Sequence, residues 1–311
     1  MRSITAAVAQ VGSILFDTAA TLEKVEHYCR EAARLGARIV VFPEALLGGY
    51  PKGITFGATV GARSPEGREW YRRYWDAAID VPGAETSRLQ ELGNELQLTI
   101  VIGVIERVGR TLHCTALTFQ PTSGLNWRAP EIHRKLMPTA AERLIWGCGD
   151  GSTMRVIETQ AGRVGCAICW ENYMPAYRMH LYSQGVELWC APTVDDREMF
   201  CTTMRHIAYE GRCFVLSACQ YLTRADCPAD YDPVQGNEPG TVLIGGGSVI
   251  VSPMGEVLAL PPAKGECLLT AEIDLAEIAK GKFDLDVTGH YARPDVFALQ
   301  VNTTPQRAVN A

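Results

Sequence analysis

Three short segments of the sequence place a chemically reactive residue at the end of an apolar run. The residues are Glu44, Lys135 and Cys169. Such runs are typical of buried strands, and ligands in α/β proteins gather beyond the carboxyl ends of strands. A carboxylate, an ammonium group and a thiol brought together there could perform nucleophilic catalysis. Taken singly, a solvated glutamate, a surface lysine and an inert buried cysteine are the more common interpretations.

Cys169 has the sequence context of a reactive thiol. It ends a predicted strand and precedes a segment with a helical pattern, a position where backbone N–H groups lower the pKa of a thiol. A nearby lysine would lower this pKa further. A Cys–His pair with His133, His206 or His290 as the base remains an alternative, because such partners meet in space and not along the chain.

Cys166 and Cys169 form a C-x-x-C pair, which raises the question of a metal or redox site. In a strand, residues three apart face opposite sides, so the two thiols could not easily share a metal or form a disulfide. The sequence contains no second C-x-x-C pair, and no histidine begins an H-x-E motif. A metal site is therefore not expected.

The elements that would position these residues alternate between strands and helices. Apolar runs predict strands at 4–11, 39–42, 98–105, 111–119, 187–191 and 213–219, and hairpins over 154–169 and 248–260. Helical spacing predicts helices near 25–36, 174–181 and 200–210. Alternation mixed with hairpins indicates an α/β fold with mixed sheets and helices outside them. We predict that 225–240 forms a surface loop and that Trp189 lies in the core.

The composition is that of a globular protein with a sizeable core. The chain has 311 residues, of which 47% are hydrophobic and 21% are charged. Disorder and coiled coil are therefore excluded as descriptions of the whole chain. Because no linker divides the sequence, we predict a single domain over residues 1–300 and a short C-terminal tail over residues 301–311.

Charge and cysteine content limit the expected partners and location. The net charge is −6, which gives no electrostatic reason to expect nucleic acid or an anionic membrane as a partner. No apolar run reaches the roughly 18 residues of a membrane span, and we find no signal-peptide pattern. The 11 cysteines are odd in number and scattered, so we expect them to be reduced in a cytoplasmic protein.

The reactive segments resemble the catalytic motifs of the nitrilase superfamily. The resemblance rests on the segments 42–44, 133–139, 142–147, 169–173 and 289–297. The run Cys169-Trp170-Glu171 is similar to the nitrilase branch itself, whereas amidase and carbamoylase branches carry other residues after the cysteine. The resemblance covers nearly the whole chain, from Ile4 to Phe297.

This resemblance implies a four-layer α-β-β-α sandwich with two mixed sheets. It also implies hydrolysis of carbon–nitrogen bonds without a metal or an organic cofactor. In the implied roles, Cys169 is the nucleophile, Lys135 is the cation beside it and Glu44 is the general base. Glu142 resembles a second glutamate that orients the lysine and the substrate.

The activity implied most directly is that of a nitrilase, which converts an organic nitrile to the carboxylic acid and ammonia through a thioimidate and a thioester on the cysteine. An amidase or carbamoyl hydrolase of the same superfamily is an alternative, although Trp170 and Glu171 argue against it. A non-enzymatic assembly protein with the same fold is a further alternative. The intact Glu44, Lys135 and Cys169 argue against that role.

Aromatic residues near the reactive segments suggest the substrate. Tyr50, Trp146, Trp170 and Tyr173 are candidates for a pocket that accepts a small-molecule nitrile with an apolar or aryl group. Core packing is the more common role of aromatic residues. The pocket interpretation therefore predicts preference for such nitriles over cyanide.

Two features differ from many microbial nitrilases. Ala140 and Ala141 stand where those proteins have an aromatic residue and a histidine, which leaves more room beside Glu142. The chain also ends soon after Phe297, and tails in this family hold dimers together in spiral filaments. By resemblance we expect a homodimer or a larger homo-oligomer, and a spiral assembly is one form that the larger oligomer could take.

Overall fold

The computed structural model describes residues 3–122 and 128–306. Residues 1–2, 123–127 and 307–311 lie outside this description, and with them part of the predicted domain and the end of the predicted tail. None of the helices within the described ranges is both long and apolar enough to cross a membrane.

Strands and helices alternate along the described chain. The strands are β1 (Ser3–Gln10), β2 (Ala37–Val41), β3 (Ala58–Thr59), β4 (Ala62–Arg63), β5 (Ile79–Asp80), β6 (Thr99–Val108), β7 (Thr111–Phe119), β8 (Glu131–Arg134), β9 (Ile157–Glu158), β10 (Arg163–Cys166), β11 (Leu188–Thr193), β12 (Phe214–Cys219), β13 (Tyr221–Thr223), β14 (Val242–Gly245), β15 (Val249–Val251), β16 (Val257–Ala259) and β17 (Cys267–Asp274). The α-helices are α1 (Thr18–Arg34), α2 (Pro65–Ala77), α3 (Ala84–Leu96), α4 (Pro175–Ser183), α5 (Glu198–Gly211) and α6 (Ala276–Gly281). Short 3-10 helices span Ala140–Leu144, Gly151–Thr153, Cys169–Tyr173 and Arg224–Asp226.

Two mixed sheets form the centre of the fold. The first has the order β17-β1-β2-β6-β7-β8, with β5 beside β6, and the second has the order β16-β15-β12-β11-β10-β9. The neighbours β1, β2 and β6 are parallel, and so are β10, β11 and β12. Because antiparallel β7 separates β6 from β8, β8 runs in the same direction as β2. The carboxyl ends of β2 and β8 therefore share one edge of the first sheet.

Three apolar cores hold four layers together. One core lies between the sheets and contains side chains from both, among them Val8, Val41, Leu188 and Leu216. A second core joins the outer face of the first sheet to α1 and α3. A third joins the outer face of the second sheet to α4 and α5. The predicted four-layer α-β-β-α sandwich with two mixed sheets is confirmed.

Helix α1 shows how the sequence pattern produces this packing. Asp17 caps the helix by accepting a hydrogen bond from the Ala20 N–H at 2.9 Å. The buried residues include Val25, Cys29 and Ala32, which follow helical spacing. These side chains belong to the core against the first sheet, as the sequence pattern predicts.

Some elements have no clear sequence signal. Helix α2 is mostly charged or polar, and its buried residues are Gly67, Tyr74 and Ala77. The charged residues between its four aromatic side chains mask the short stripe that they form. Strand β17 lies at the edge of its sheet beside β1, where half-burial weakens the alternation of apolar and polar residues. The sequence pattern therefore predicts neither element.

The segment 225–240 is not wholly a surface loop as predicted. Tyr231 within it is 1% exposed. Its hydroxyl donates to the Lys52 carbonyl at 2.7 Å, and its ring contacts Phe16 and Trp70. The Asp, Pro and Gly content indicates an irregular backbone correctly, but composition cannot show that one tyrosine anchors it in the core.

Candidate active site

Glu44 lies in the loop after β2 and is held against β6. The Phe42 N–H donates to the Val101 carbonyl at 2.8 Å, and the Gly103 N–H donates to the Pro43 carbonyl at 3.0 Å. A Cβ atom at position 103 would lie 2.4 Å from the Pro43 oxygen, so this close approach requires glycine. The Glu44 side chain is fully buried, unlike that of a solvated loop residue.

Lys135 follows β8, and its ammonium group lies between two carboxylates. Its Nζ atom donates to Glu44 Oε1 at 2.6 Å and to Glu142 Oε2 at 2.8 Å. Glu142 also accepts hydrogen bonds from the Thr139 N–H at 2.6 Å and from the Tyr50 hydroxyl at 2.8 Å. The buried positive charge is therefore matched by fixed negative charges, as a buried ion requires.

Cys169 begins a 3-10 helix after β10 with a φ of +50°, a conformation that costs a non-glycine residue about 1–3 kcal/mol. Its neighbours restrain it. The Asn172 amide donates to the carbonyls of Ala167 and Cys169 at 3.0 and 2.8 Å. Trp189, buried as predicted, donates to Asn172 Oδ1 at 2.8 Å. The Thr193 hydroxyl donates to the sulfur at 3.3 Å, so the thiol is fixed in place.

The charge state of the thiol is set mainly by its burial. Burial raises the pKa of Cys169 and the negative charge of Glu44 raises it further, whereas Lys135 and the Thr193 hydroxyl lower it. The net direction is upward, so the predicted lowering of this pKa is wrong. Loss of hydration outweighs the neighbouring cation. The resting group is a neutral thiol, which needs a base before it can attack.

The carboxylate and the ammonium group respond to the same burial. Burial raises the pKa of Glu44, and Lys135 opposes that change. Burial by itself would lower the pKa of Lys135, but the negative charge of Glu44, with further help from Glu142, raises it well above its usual value. The lysine is therefore an ammonium ion across the physiological pH range.

Glu44 presents one oxygen that is available for proton transfer. Its Oε1 atom binds Lys135 and lies 3.5 Å from Cys114 Sγ. Its Oε2 atom has no hydrogen-bond partner among the described residues. The negative charge of the carboxylate also acts on the Cys169 thiol, whose pKa it raises. This arrangement allows Glu44 to accept a proton from sulfur or from water.

Two cavities meet at Tyr50 and Glu142. One cavity of about 190 Å³ lies over Cys169, and its lining includes Thr139, Lys52, Asp195, Asp196 and Arg197. The other, of about 260 Å³, has a mainly apolar lining that includes Ile54, Phe56, Ala141, Leu144 and Trp146. This second cavity lies beside Ala141 and Glu142.

The predicted substrate-binding aromatic residues occupy different positions. Tyr50 lines both cavities, Trp146 lines the apolar cavity, and Trp170 lines the cavity over the thiol. Tyr173 is in the lining of neither cavity, and its ring packs against Trp170 at a centroid distance of 5.8 Å. Tyr173 thus supports Trp170 and does not itself reach the thiol.

Other residues at the site are absent from the sequence prediction. Thr193 and Asp195 lie at and just beyond the end of β11, so the rule that ligands gather beyond strand ends could have identified them. Cys114 lies within β7 and Lys52 lies in a loop. Neither of these two has a local signal of its position.

The candidate histidines do not reach the thiol. His133 is buried, and its Nε2 atom lies 2.9 Å from Glu171 Oε2. His206 is exposed on α5, and His290 is exposed near the C-terminus. None of them hydrogen-bonds with Cys169 within the described residues. The Cys–His alternative is therefore not supported.

The C-x-x-C pair does not have the predicted strand geometry. Strand β10 ends at Cys166, so the alternation of faces does not extend to Cys169, and both thiols lie in the core between the sheets. All 11 cysteines are free. The described part of the chain contains no group of three or more His, Cys, Asp or Glu residues that could hold a metal ion.

Comparison with known proteins places these residues in a family context. A family model described as carbon-nitrogen hydrolase matches residues 5–283. A nitrilase from Bradyrhizobium diazoefficiens is 55% identical, with 98% of this chain and 94% of that protein covered. An aliphatic nitrilase from Sinorhizobium fredii is 53% identical, with 99% of each chain covered. A bifunctional nitrilase/nitrile hydratase from Lupinus angustifolius is 52% identical, with 99% of this chain and 88% of that protein covered.

Solved structures share the fold at low sequence identity. Nit3 from Saccharomyces cerevisiae, a member of the nitrilase superfamily, has a TM-score of 0.69 at 19% identity, with 93% of this chain and 97% of that chain covered. The NitFhit protein from C. elegans has a TM-score of 0.72 at 17% identity, with 99% of this chain and 69% of that chain covered. At these identities the likeness shows the fold alone.

Proposed function

We propose that this chain, which belongs to the carbon–nitrogen hydrolase family, is a nitrilase that converts an organic nitrile to the carboxylic acid and ammonia. Relatives named nitrilase and aliphatic nitrilase are 55% and 53% identical to it over nearly its whole length. The observation that carries the mechanism is the contact of Lys135 with Glu44 and Glu142 at 2.6 and 2.8 Å beside a restrained thiol.

In the first step the thiol adds to the nitrile carbon. Because Cys169 is a neutral thiol, Glu44 removes its proton. The Oε2 atom, which has no hydrogen-bond partner among the described residues, is free to accept it. A sulfur–carbon bond forms, one π bond of the nitrile breaks, and nitrogen receives the proton that Glu44 took from sulfur. This gives a neutral thioimidate and returns Glu44 to its base form. The Lys135 ammonium stabilises the negative charge that develops on nitrogen.

Hydrolysis of the thioimidate uses the same groups. Glu44 accepts a proton from water as the oxygen adds to the thioimidate carbon, and the resulting tetrahedral intermediate carries both sulfur and nitrogen. When nitrogen leaves as ammonia, a thioester remains on Cys169. A second water releases the carboxylic acid and restores the thiol. Two waters and one nitrile thus give one acid and one ammonia.

Release of an amide is a second outcome of the same intermediate. If the tetrahedral intermediate expels sulfur in place of nitrogen, one water and one nitrile give the amide. A relative at 52% identity is named a bifunctional nitrilase/nitrile hydratase, which supports amide as an additional product. Measurement of acid, amide and ammonia from one nitrile gives the ratio. Turnover of amides without turnover of nitriles would instead support the amidase or carbamoyl hydrolase alternative.

The cavities indicate how a nitrile would be bound. We propose that the nitrile group reaches Cys169 through the smaller cavity, and that an apolar or aryl arm enters the cavity lined by Trp146 and Ala141. Tyr50 and Glu142 lie where the two cavities meet, so the arm must pass them. Bare cyanide would leave the apolar cavity empty and should be a poor substrate.

We propose that the chain forms a homodimer or a larger homo-oligomer and acts in the cytoplasm. Large apolar side chains are exposed on the surface, among them Met199 at 64%, Phe283 at 90% and Phe297 at 77%, which supports association into a homodimer or a larger homo-oligomer. Light scattering coupled to size-exclusion chromatography would measure the mass. The 11 free cysteines support a reducing compartment such as the cytoplasm.

Covalent labelling tests the proposed chemistry directly. Wild-type protein mixed briefly with a panel of nitriles should gain the mass of a thioimidate or thioester, and Cys169→Ala should gain none and lose turnover. Cys166→Ala is the matched control, because Cys166 is another buried thiol of the same core and forms no hydrogen bond with Lys135 or Glu44 among the described residues. Full nitrile turnover by Cys169→Ala would refute the proposal.

A further inference from the structure

Glu171 is buried between the segment that carries Lys135 and the segment that carries Cys169. It takes no part in the proposed steps of nitrile hydrolysis. It is 1% exposed. Its Oε1 atom accepts a hydrogen bond from the Leu136 N–H at 2.6 Å, and its Oε2 atom accepts one from the Ile168 N–H at 2.7 Å. Leu136 directly follows Lys135, and Ile168 directly precedes Cys169. One carboxylate therefore binds the peptide groups beside both reactive residues.

This pair of hydrogen bonds connects the two sheets at the site. The segment with Lys135 continues β8 of the first sheet, and the segment with Cys169 follows β10 of the second. Apolar packing between the sheets is non-directional. Hydrogen bonds to a carboxylate are short and directional, so they can fix the separation of the ammonium group from the thiol more closely than packing alone.

His133 supplies a third hydrogen bond to the same carboxylate. Its Nε2 atom lies 2.9 Å from Glu171 Oε2 and 3.1 Å from the Tyr177 hydroxyl. Because a carboxylate only accepts hydrogen bonds, Nε2 carries the hydrogen and donates it. The Tyr177 hydroxyl in turn donates to the Cys166 carbonyl at the end of β10. A carboxamide could not accept all three donors, because one of its two terminal groups is itself a donor.

We propose that Glu171 is a positioning residue that holds Lys135 and Cys169 at their reactive separation. This inference rests on the proposed function, because it concerns the geometry of that reaction. The left-handed backbone at Cys169 supports it, since a strained conformation persists only while its surroundings enforce it. A displacement of about 1 Å at a reacting group can lower turnover about 100-fold.

Glu171→Gln tests the proposal, with Glu106→Gln as the matched control. Glu106 is also 1% exposed and binds Arg134 with hydrogen bonds of 2.6 and 2.7 Å, but it accepts no hydrogen bond from the peptide groups beside the reactive residues. For each variant, thermal unfolding, kcat and KM are measured with one nitrile. Competent Cys169 is titrated by intact mass after covalent labelling, so that turnover is expressed per reactive thiol.

We expect Glu171→Gln to lower kcat per titrated thiol about 100-fold with little change in KM, while Glu106→Gln keeps the wild-type value. Unchanged kcat per titrated thiol in Glu171→Gln would overturn the proposal, because Glu171 would then serve folding alone. If that variant does not fold, Glu171→Asp replaces it with the same expectation, since its carboxylate is one methylene too short to reach both N–H groups. Failure of both variants to fold would also overturn the proposal. Absence of nitrile turnover by the wild-type protein is the separate result that contradicts the proposed function.

Discussion

Replacement of Tyr50 by phenylalanine removes one hydroxyl group and leaves the ring in place. That hydroxyl donates to Glu142 Oε1 at 2.8 Å, while Glu142 Oε2 binds the Lys135 ammonium at 2.8 Å. The ring keeps its edge contact with Trp146 at a centroid distance of 5.7 Å. The variant therefore removes one hydrogen bond to Glu142, the carboxylate that binds Lys135, and leaves the lining of the cavities otherwise unchanged.

The size of the effect follows from the charge of the acceptor. A hydrogen bond to a charged group contributes about 1.5–3 kcal/mol, and about 1.4 kcal/mol corresponds to a tenfold change. The interaction of Glu142 with Lys135 is needed most in the transition state, when charge develops on the nitrile nitrogen. Tyr50→Phe should therefore lower kcat about 10- to 100-fold. The value of KM should change little, because the apolar contacts of the ring remain.

Tyr74→Phe is a control with the same chemical change. The Tyr74 hydroxyl donates to the Gly49 carbonyl at 3.0 Å and accepts from Trp146 Nε1 at 3.0 Å. Tyr74 is fully buried, and its hydroxyl forms no hydrogen bond with Glu44 or Glu142 among the described residues. Its loss should lower the free energy of unfolding by about 1–3 kcal/mol because the Trp146 N–H is left without an acceptor, whereas kcat should stay close to the wild-type value.

The assay compares kcat and KM of both variants with one aryl nitrile, each corrected for the fraction of labelled Cys169. A raised KM with unchanged kcat for Tyr50→Phe would refute the argument and would assign Tyr50 to substrate binding alone. Equal losses of kcat in Tyr50→Phe and Tyr74→Phe would refute it as well, because the effect would then not depend on Glu142.

Further predictions concern acidity, cavity size and cofactors. Because the pKa of Glu44 lies above the usual carboxyl value, its base form is lost as pH falls through that raised pKa, and the acid limb of kcat/KM should lie above pH ~4.3. Glu142→Gln removes a negative charge that raises this pKa, so it should move the acid limb to lower pH. An acid limb that does not move contradicts this prediction. Ala141→Phe should fill part of the apolar cavity and slow aryl nitriles more than acetonitrile, whereas equal slowing would place the substrate elsewhere. Thr193→Val removes a hydrogen bond that lowers the pKa of Cys169 and should slow its alkylation by iodoacetamide at fixed pH, so that faster alkylation counts against the assignment. Dialysis against EDTA should leave turnover unchanged, and restoration of lost activity by a divalent metal would contradict the expected chemistry.

The sequence predicts which residues come together at the candidate site because their positions follow from local patterns. Glu44 and Cys169 follow strands whose apolar runs are visible in the sequence, whereas β8 before Lys135 contains one apolar residue. Strand direction then brings the carboxyl ends of β2 and β8 to one edge. The same rule applies to Thr193 at the end of β11. The position of a residue after a strand does not show whether its side chain points into the cavity. Tyr50 lines both cavities and Tyr173 lines neither, although both are predicted to line the substrate pocket.

The charge balance of the site could not be predicted from the sequence. The direction of the Cys169 pKa depends on burial, and that burial arises from contacts between sheets whose strands are far apart in sequence. The charge of Lys135 lowers the pKa of Cys169 and so favours the thiolate. Burial of the thiol between the sheets raises this pKa by more. The anchoring of Tyr231 in the core depends on distant contacts in the same way.

The two sheets divide the reactive groups between them. Glu44 and Lys135 belong to the first sheet, and Cys169 and Thr193 belong to the second. A chain in which only one half has folded therefore has the thiol without its base and its cation, or the base and the cation without the thiol, and it cannot hydrolyse a nitrile. During a denaturant titration, turnover should disappear as soon as the halves separate, even where the helices persist. Enzymatic activity thus reports whether the two sheets are packed against each other.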